Sequence, residues 1–118
     1  MLAKSGIVLL SLFLVTPDPV KITTQTTQGF EPLKVEAKIR VEPDERNYVL
    51  CVVLSGSNEY FRSSCWGLDG MKSPVFFYYA WPALAAGEYR ASAWLYHRHK
   101  LDDAIKSNII QLSVQPRL

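Results

Sequence analysis

The residue types able to do chemistry fall in three places in this chain. Cys51 and Cys65 are the two cysteines. They sit in neighbouring expected strands joined by the Ser57-Asn58-Glu59 loop, and pairing about the centre of that loop sets them directly opposite each other. A cross-strand disulfide is allowed where such a pair is of the close, non-hydrogen-bonded kind, and the alternative is two buried thiols. Their spacing is not C-x-x-C, and two cysteines so placed complete no zinc set.

The second place is His97-Arg98-His99-Lys100-Leu101-Asp102-Asp103. In an extended strand His97 and His99 point the same way, with Asp102 or Asp103 curling back, as metal ligands do. Arg98 and Lys100 oppose a cation there, and the plainer reading is a charged, solvated loop. Neither a metal nor a cofactor is expected. Ser63 or Ser64 with a histidine and an aspartate can be assembled on paper into a hydrolytic set, but almost any chain of this size offers one, so no enzyme is expected.

The third place is aromatic. If Tyr89, Ala91, Ala93 and Leu95 face a core, then Arg90, Ser92, Trp94 and Tyr96 face outward. Trp66, opposite Leu50 on the paired strand, is expected to extend that surface together with Leu50, Val52 and Leu54. The candidate binding residues are therefore Trp94, Tyr96, Trp66 and Arg90. Exposed rings on such a patch favour a partner protein or a second copy of the chain. Stacking on a sugar ring is the lesser reading, because the neighbours expected here are mostly Leu, Val and Ala. The bland alternative is internal cover, by residues 7–15 or the loop from Gly67 to Pro74. Arg62, Tyr78 and Tyr79 read as cross-strand pairing residues, as does Arg90 in its plainer role.

These side chains need strands to position them, and the sequence supplies strands throughout. From Leu33 to Val41 apolar and charged residues alternate without a break, the mark of a half-buried strand. Pro43-Asp44-Glu45-Arg46-Asn47 ends it as a turn. Tyr48 to Leu54 is apolar on both faces and reads as a central strand. Tyr60 to Trp66, Val75 to Trp81, Glu88 to His97 and Ile109 to Val114 follow, with Arg98 to Lys106 as a polar loop, and the threonine-rich Val20 to Thr26 comes first. About seven short strands separated by turn signals indicate an all-β sandwich. No helix of ordinary length is visible.

Composition agrees. The 118 residues suffice for one domain and not two, with 48% hydrophobic and 20% charged residues excluding a disordered or fibrous chain. The net charge is +2, from 13 Lys and Arg against 11 Asp and Glu. The basic residues are scattered, so the electrostatic footprint of a nucleic-acid binder is missing. Residues 1–16 carry Lys4 and then the apolar run Ile7 to Val15, the order of a secretory signal. As a helix that run spans only ~14 Å at ~1.5 Å per residue, short of a ~30 Å hydrocarbon core. A retained hydrophobic anchor and a buried first strand are the alternatives, and residues 17–118 make up the sandwich.

Leu84-Ala85-Ala86-Gly87-Glu88-Tyr89-Arg90-Ala91 resembles the corner into strand F of immunoglobulin-like and fibronectin-type-III-like sandwiches. The resemblance implies that Tyr89, following the Gly87 turn, bonds back to nearby backbone and pins the corner. Ala91 stands where an antibody-type domain has its second core cysteine, so the inter-sheet disulfide of those domains is not formed. Tyr60-Phe61-Arg62-Ser63-Ser64, Leu68-Asp69-Gly70 and the Gly87/Tyr89 corner are together similar to small modules of poorly characterised bacterial envelope proteins. An even cysteine count behind a signal-like segment points to an oxidising, extracytoplasmic compartment. The expectation is a non-catalytic structural or protein-binding module of a cell-envelope or extracellular assembly, able to self-associate and touching the envelope through its N-terminal segment. A carbohydrate-binding accessory domain is the alternative.

Overall fold

In the computed structural model the described residues are 17–57 and 59–118. The signal-like run of residues 1–16 lies outside them. Two sheets pack face to face as an all-β sandwich. The smaller has the order β1-β3-β6, from β1 (Val20–Thr24), β3 (Leu33–Val41) and β6 (Phe76–Leu84). The larger has the order β2-β9-β7-β4-β5, from β2 (Gln28–Phe30), β9 (Ile110–Gln115), β7 (Gly87–His97), β4 (Asn47–Gly56) and β5 (Phe61–Gly67). β8 (Lys100–Lys106) also belongs to it, pairing with the second half of β7. This order is compatible with an immunoglobulin-like sandwich.

The alternation in β3 does what its pattern requires: Val35, Ala37, Ile39 and Val41 are buried and Lys34, Glu36 and Lys38 are exposed. They meet Leu50, Val52 and Leu54 of β4, Tyr89, Ala91, Ala93 and Leu95 of β7, and Phe77 and Trp81 of β6 in one continuous core. β4 is central, flanked by β5 and β7, as its two apolar faces predict.

The structure has nine strands among the described residues where about seven were expected, and not all are antiparallel. β2 is only three residues long and pairs in parallel with β9; a segment that short shows no period. Lys100–Lys106, expected as a polar loop, is a strand. Its backbone ladder with β7 (Leu95 opposite Ile105, His97 opposite Lys100) holds it, and most of its side chains stay in water, so no apolar alternation marks it.

Candidate functional site

The outer face of the larger sheet is built by three registers. Cys51 lies between Cys65 on β5 and Trp94 on β7, and Trp94 lies opposite Lys106 on β8. The next row sets Ser63, Val53 and Ser92 side by side, and the row beyond it sets Phe61, Ser55, Arg90 and Gln111. Pairing about the β4–β5 loop is thus as expected, and Cys51 and Cys65 are joined with their Cα atoms 4.0 Å apart. Gly56 N donates to Tyr60 O and Leu68 N to Tyr48 O, so the bonded rungs alternate with the cysteine rung, which is of the close, non-hydrogen-bonded kind.

Around Trp94 the face is both apolar and polar. Cys51 and Val53 are buried although they point away from the core. Trp94 is half-buried, its indole Nε1 donates to Ser92 Oγ at 3.1 Å, and Lys106 Nζ sits 4.5 Å from its ring centroid. Phe61 and Ile109, at 56% and 51% exposed, rim a shallow depression of about 210 Å³ that Trp94, Arg90 and Lys106 also line. Tyr96, opposite Val49 on the same face, is half-buried, and Arg90 is exposed. This arrangement offers flat aromatic area, one fixed cation and free hydroxyls. It holds no charge relay.

Trp66 is not part of it. Leu50, Val52 and Leu54 lie opposite Leu95, Ala93 and Ala91 and are core residues, so Trp66, opposite Leu50, points inward as well. Its ring packs 5.3 Å from Phe77 and 6.2 Å edge-on from Tyr79, closing the side of the sandwich where β5 faces β6. Ser64 Oγ donates to Tyr79 Oη across the same gap at 3.0 Å. The expected joint surface of Trp66 with Trp94 and Tyr96 is therefore two opposite faces of one sheet. A strand apolar on both sides does not disclose which side is inner, and β4 is such a strand. The same correction changes Trp94's neighbours: Leu50, Val52 and Leu54 leave for the core, and serine, arginine and lysine stand beside Cys51, Val53, Phe61 and Ile109. Phe61, overlooked in the sequence, was signalled there: two residues on either side of Ser63 share a face, so it stands with Cys65.

The Gly87 corner forms as the resemblance implies. Tyr89 Oη donates to Ala85 O at 2.8 Å, and Gly87 has φ of 154°, a value that L side chains rarely adopt. Burial pushes the Tyr89 phenol up from its ordinary value, with smaller contributions from Tyr60 and Glu31. The Tyr60 ring meets it edge-on at 5.4 Å, and a Cβ on Gly56 would come within 2.9 Å of it.

His97 and His99 do not lie in one extended strand. The strand ends at His97, the chain reverses through Arg98 and His99 (φ 68°), and Lys100 returns opposite His97. Both histidines instead line a cavity of about 450 Å³ at the end of the sandwich, with Arg98, Lys100, Asp44, Arg46 and Asp103. Arg46 donates to both carboxylate oxygens of Asp44, at 3.0 and 2.7 Å, and holds that carboxyl well below its usual range. Among the described residues no three His, Cys, Asp or Glu side chains converge as a metal ion requires. No protein-family model matches this chain, and no curated protein matches it.

Proposed function

We propose that this chain is a non-catalytic structural or protein-binding module of an extracellular or cell-envelope assembly, and that the outer face around Trp94 is its contact surface. The observation that carries the reading is the cluster of Trp94, Phe61 and Ile109 about one depression on an otherwise hydrogen-bonded sheet, with Arg90 and Tyr96 alongside. Rings at the centre of a patch with a polar rim are the usual anchors of protein contacts. Kinship with immunoglobulin-like and fibronectin-type-III-like sandwiches is part of the proposal, supported by the strand order and by the Tyr89 bond to Ala85. The extracytoplasmic location rests on the Cys51–Cys65 disulfide and the signal-like order of residues 1–16.

Cross-linking in the native envelope or medium tests it: Trp94→Ala and Phe61→Ser are expected to abolish the cross-linked partner seen with the unaltered chain. An undiminished product with both variants would overturn the assignment of this face. Carbohydrate binding is the second reading, favoured by the serines and Arg90 beside the Trp94 ring. Against it, Lys106 already occupies one ring face. A saturable change of tryptophan fluorescence with soluble glycans, lost in Trp94→Ala, would replace the first reading by the second.

A further inference from the structure

A strand edge exposes a row of unpaired N–H and C=O groups, and proteins blunt such edges by shortness, charge, proline or cover. Most edges of this sandwich are blunted. On β1, Ile22 donates its N–H to Asn108 Oδ1 at 3.0 Å and accepts from Asn108 Nδ2 at 2.9 Å. β2 is three residues long, and β8 carries Lys100, Asp102, Asp103 and Lys106. β5 leaves the N–H and C=O of Phe61, Ser63 and Cys65 unpaired by any described strand, but it carries the charge of Arg62 between them, and Phe61 belongs to the Trp94 face.

β6 differs. It has no charged residue in Phe76–Leu84, and its segment Phe76–Trp81 pairs with β3 without a bulge until Pro82. Val41 N donates to Val75 O, so the odd positions of β6 bond to β3. Phe76, Tyr78 and Ala80 consequently aim their N–H and C=O away from β3, and no described residue pairs with them. The side chains on the solvent face of these residues are Phe76 and Tyr78, at 42% and 69% exposed, beside Ala80.

We propose that this edge binds the same edge of a second copy of the chain, in an antiparallel pairing whose two-fold axis passes between the two Tyr78 residues. That register is self-complementary. All three free positions fall on hydrogen-bonded rungs, Tyr78 against Tyr78 and Phe76 against Ala80 of the other copy, and every free N–H meets a free C=O. On the inner side Phe77 meets Tyr79, so no charge is buried. The Lys38 ammonium of each copy leans onto its own Phe76 ring, 4.3 Å from the centroid. In this register the two Phe76 residues fall four positions apart along the paired strands, ~13 Å, beyond the ~8 Å screening length at physiological salt. The two smaller sheets become one continuous sheet, and the Trp94 face lies on the other sheet of each copy, so this inference stands apart from the proposed function.

Sedimentation equilibrium of the full, non-reduced chain tests it. The expected result is a dimer that Tyr78→Lys dissociates, with Kd raised ~100-fold by opposing two ammonium groups at the axis, while Trp94→Ala leaves it intact. A bifunctional thiol reagent bridging ~5 Å is expected to join two copies of Tyr78→Cys and not two copies of Phe76→Cys, since only position 78 meets itself. Unchanged circular dichroism and melting show that the exposed substitution leaves the fold intact, and the Tyr78→Cys cross-link decides the matter if Tyr78→Lys unfolds. A monomer at every concentration, a dimer indifferent to Tyr78→Lys, or cross-linking at 76 in preference to 78 would each overturn the proposal.

Discussion

Tyr89 is only 7% exposed, yet its hydroxyl sits at the corner between β6 and β7 and donates to Ala85 O. Tyr89→Phe keeps the ring and deletes that bond, so an expected loss of about 1 kcal/mol isolates the corner's hydrogen bond from its packing. Because burial raises the folded-state pKa, the fold favours the protonated phenol. Its contribution is complete below the ordinary tyrosine value of ~10 and is lost as pH rises past it. Melting temperatures between neutral pH and the alkaline limb should therefore fall more steeply for the unaltered chain than for Tyr89→Phe. Asp44 has the opposite sign: Arg46 holds its pKa down, so its small, partly solvated contribution is present above about pH 4 and lost on acidification. The corner was legible in the sequence because Gly87 and Tyr89 form a local motif two residues apart. Trp66 was not, because its face depends on the register of β4 against β7, a contact between residues far apart in the chain.

The β4–β5 hairpin is an element that the cysteines close, 14 positions apart in the chain. Cross-linking a loop of about this length restricts the unfolded chain by ~3 kcal/mol. Replacing both cysteines by serine should lower the unfolding free energy by about that amount in urea titrations, without altering the hairpin register, which the Gly56–Tyr60 and Leu68–Tyr48 backbone bonds also define. β1 has a different fastener: Asn108, between β8 and β9, supplies both bonds to Ile22. Asn108→Ala leaves a buried strand edge without partners, at a cost of about 1–3 kcal/mol. Hydrogen exchange should show the Ile22 amide losing protection before the centre of β4 does. β3, β4 and β7 were legible as strands from their patterns, whereas β8 was not. Its pairing with β7 is a backbone ladder, and ladders leave no mark on side-chain type at a solvated edge.

At the scale of the whole molecule the two sheets share one core, and Leu54, fully buried between Ala91 and the β5 strand, is typical of it. Leu54→Ala should cost about 2–5 kcal/mol, as cavities in close-packed interiors do, while Trp94→Ala on the solvated face should cost much less and act on partner contact instead. Unfolding curves of the two variants check the contrast. The all-β class, the central position of β4, the inward set of Tyr89, Ala91, Ala93 and Leu95, and the opposition of Cys51 to Cys65 all followed from the sequence alone. Each rests on a period of two or on a short hairpin, and both are local properties of the chain. Which side of β4 faces the core, where Trp66 points, where the chain reverses beyond His97, and which edge no other described strand covers were decided only by the tertiary structure. These depend on registers between distant strands, and a shift of one residue in such a register exchanges the two faces of a sheet without changing any local pattern.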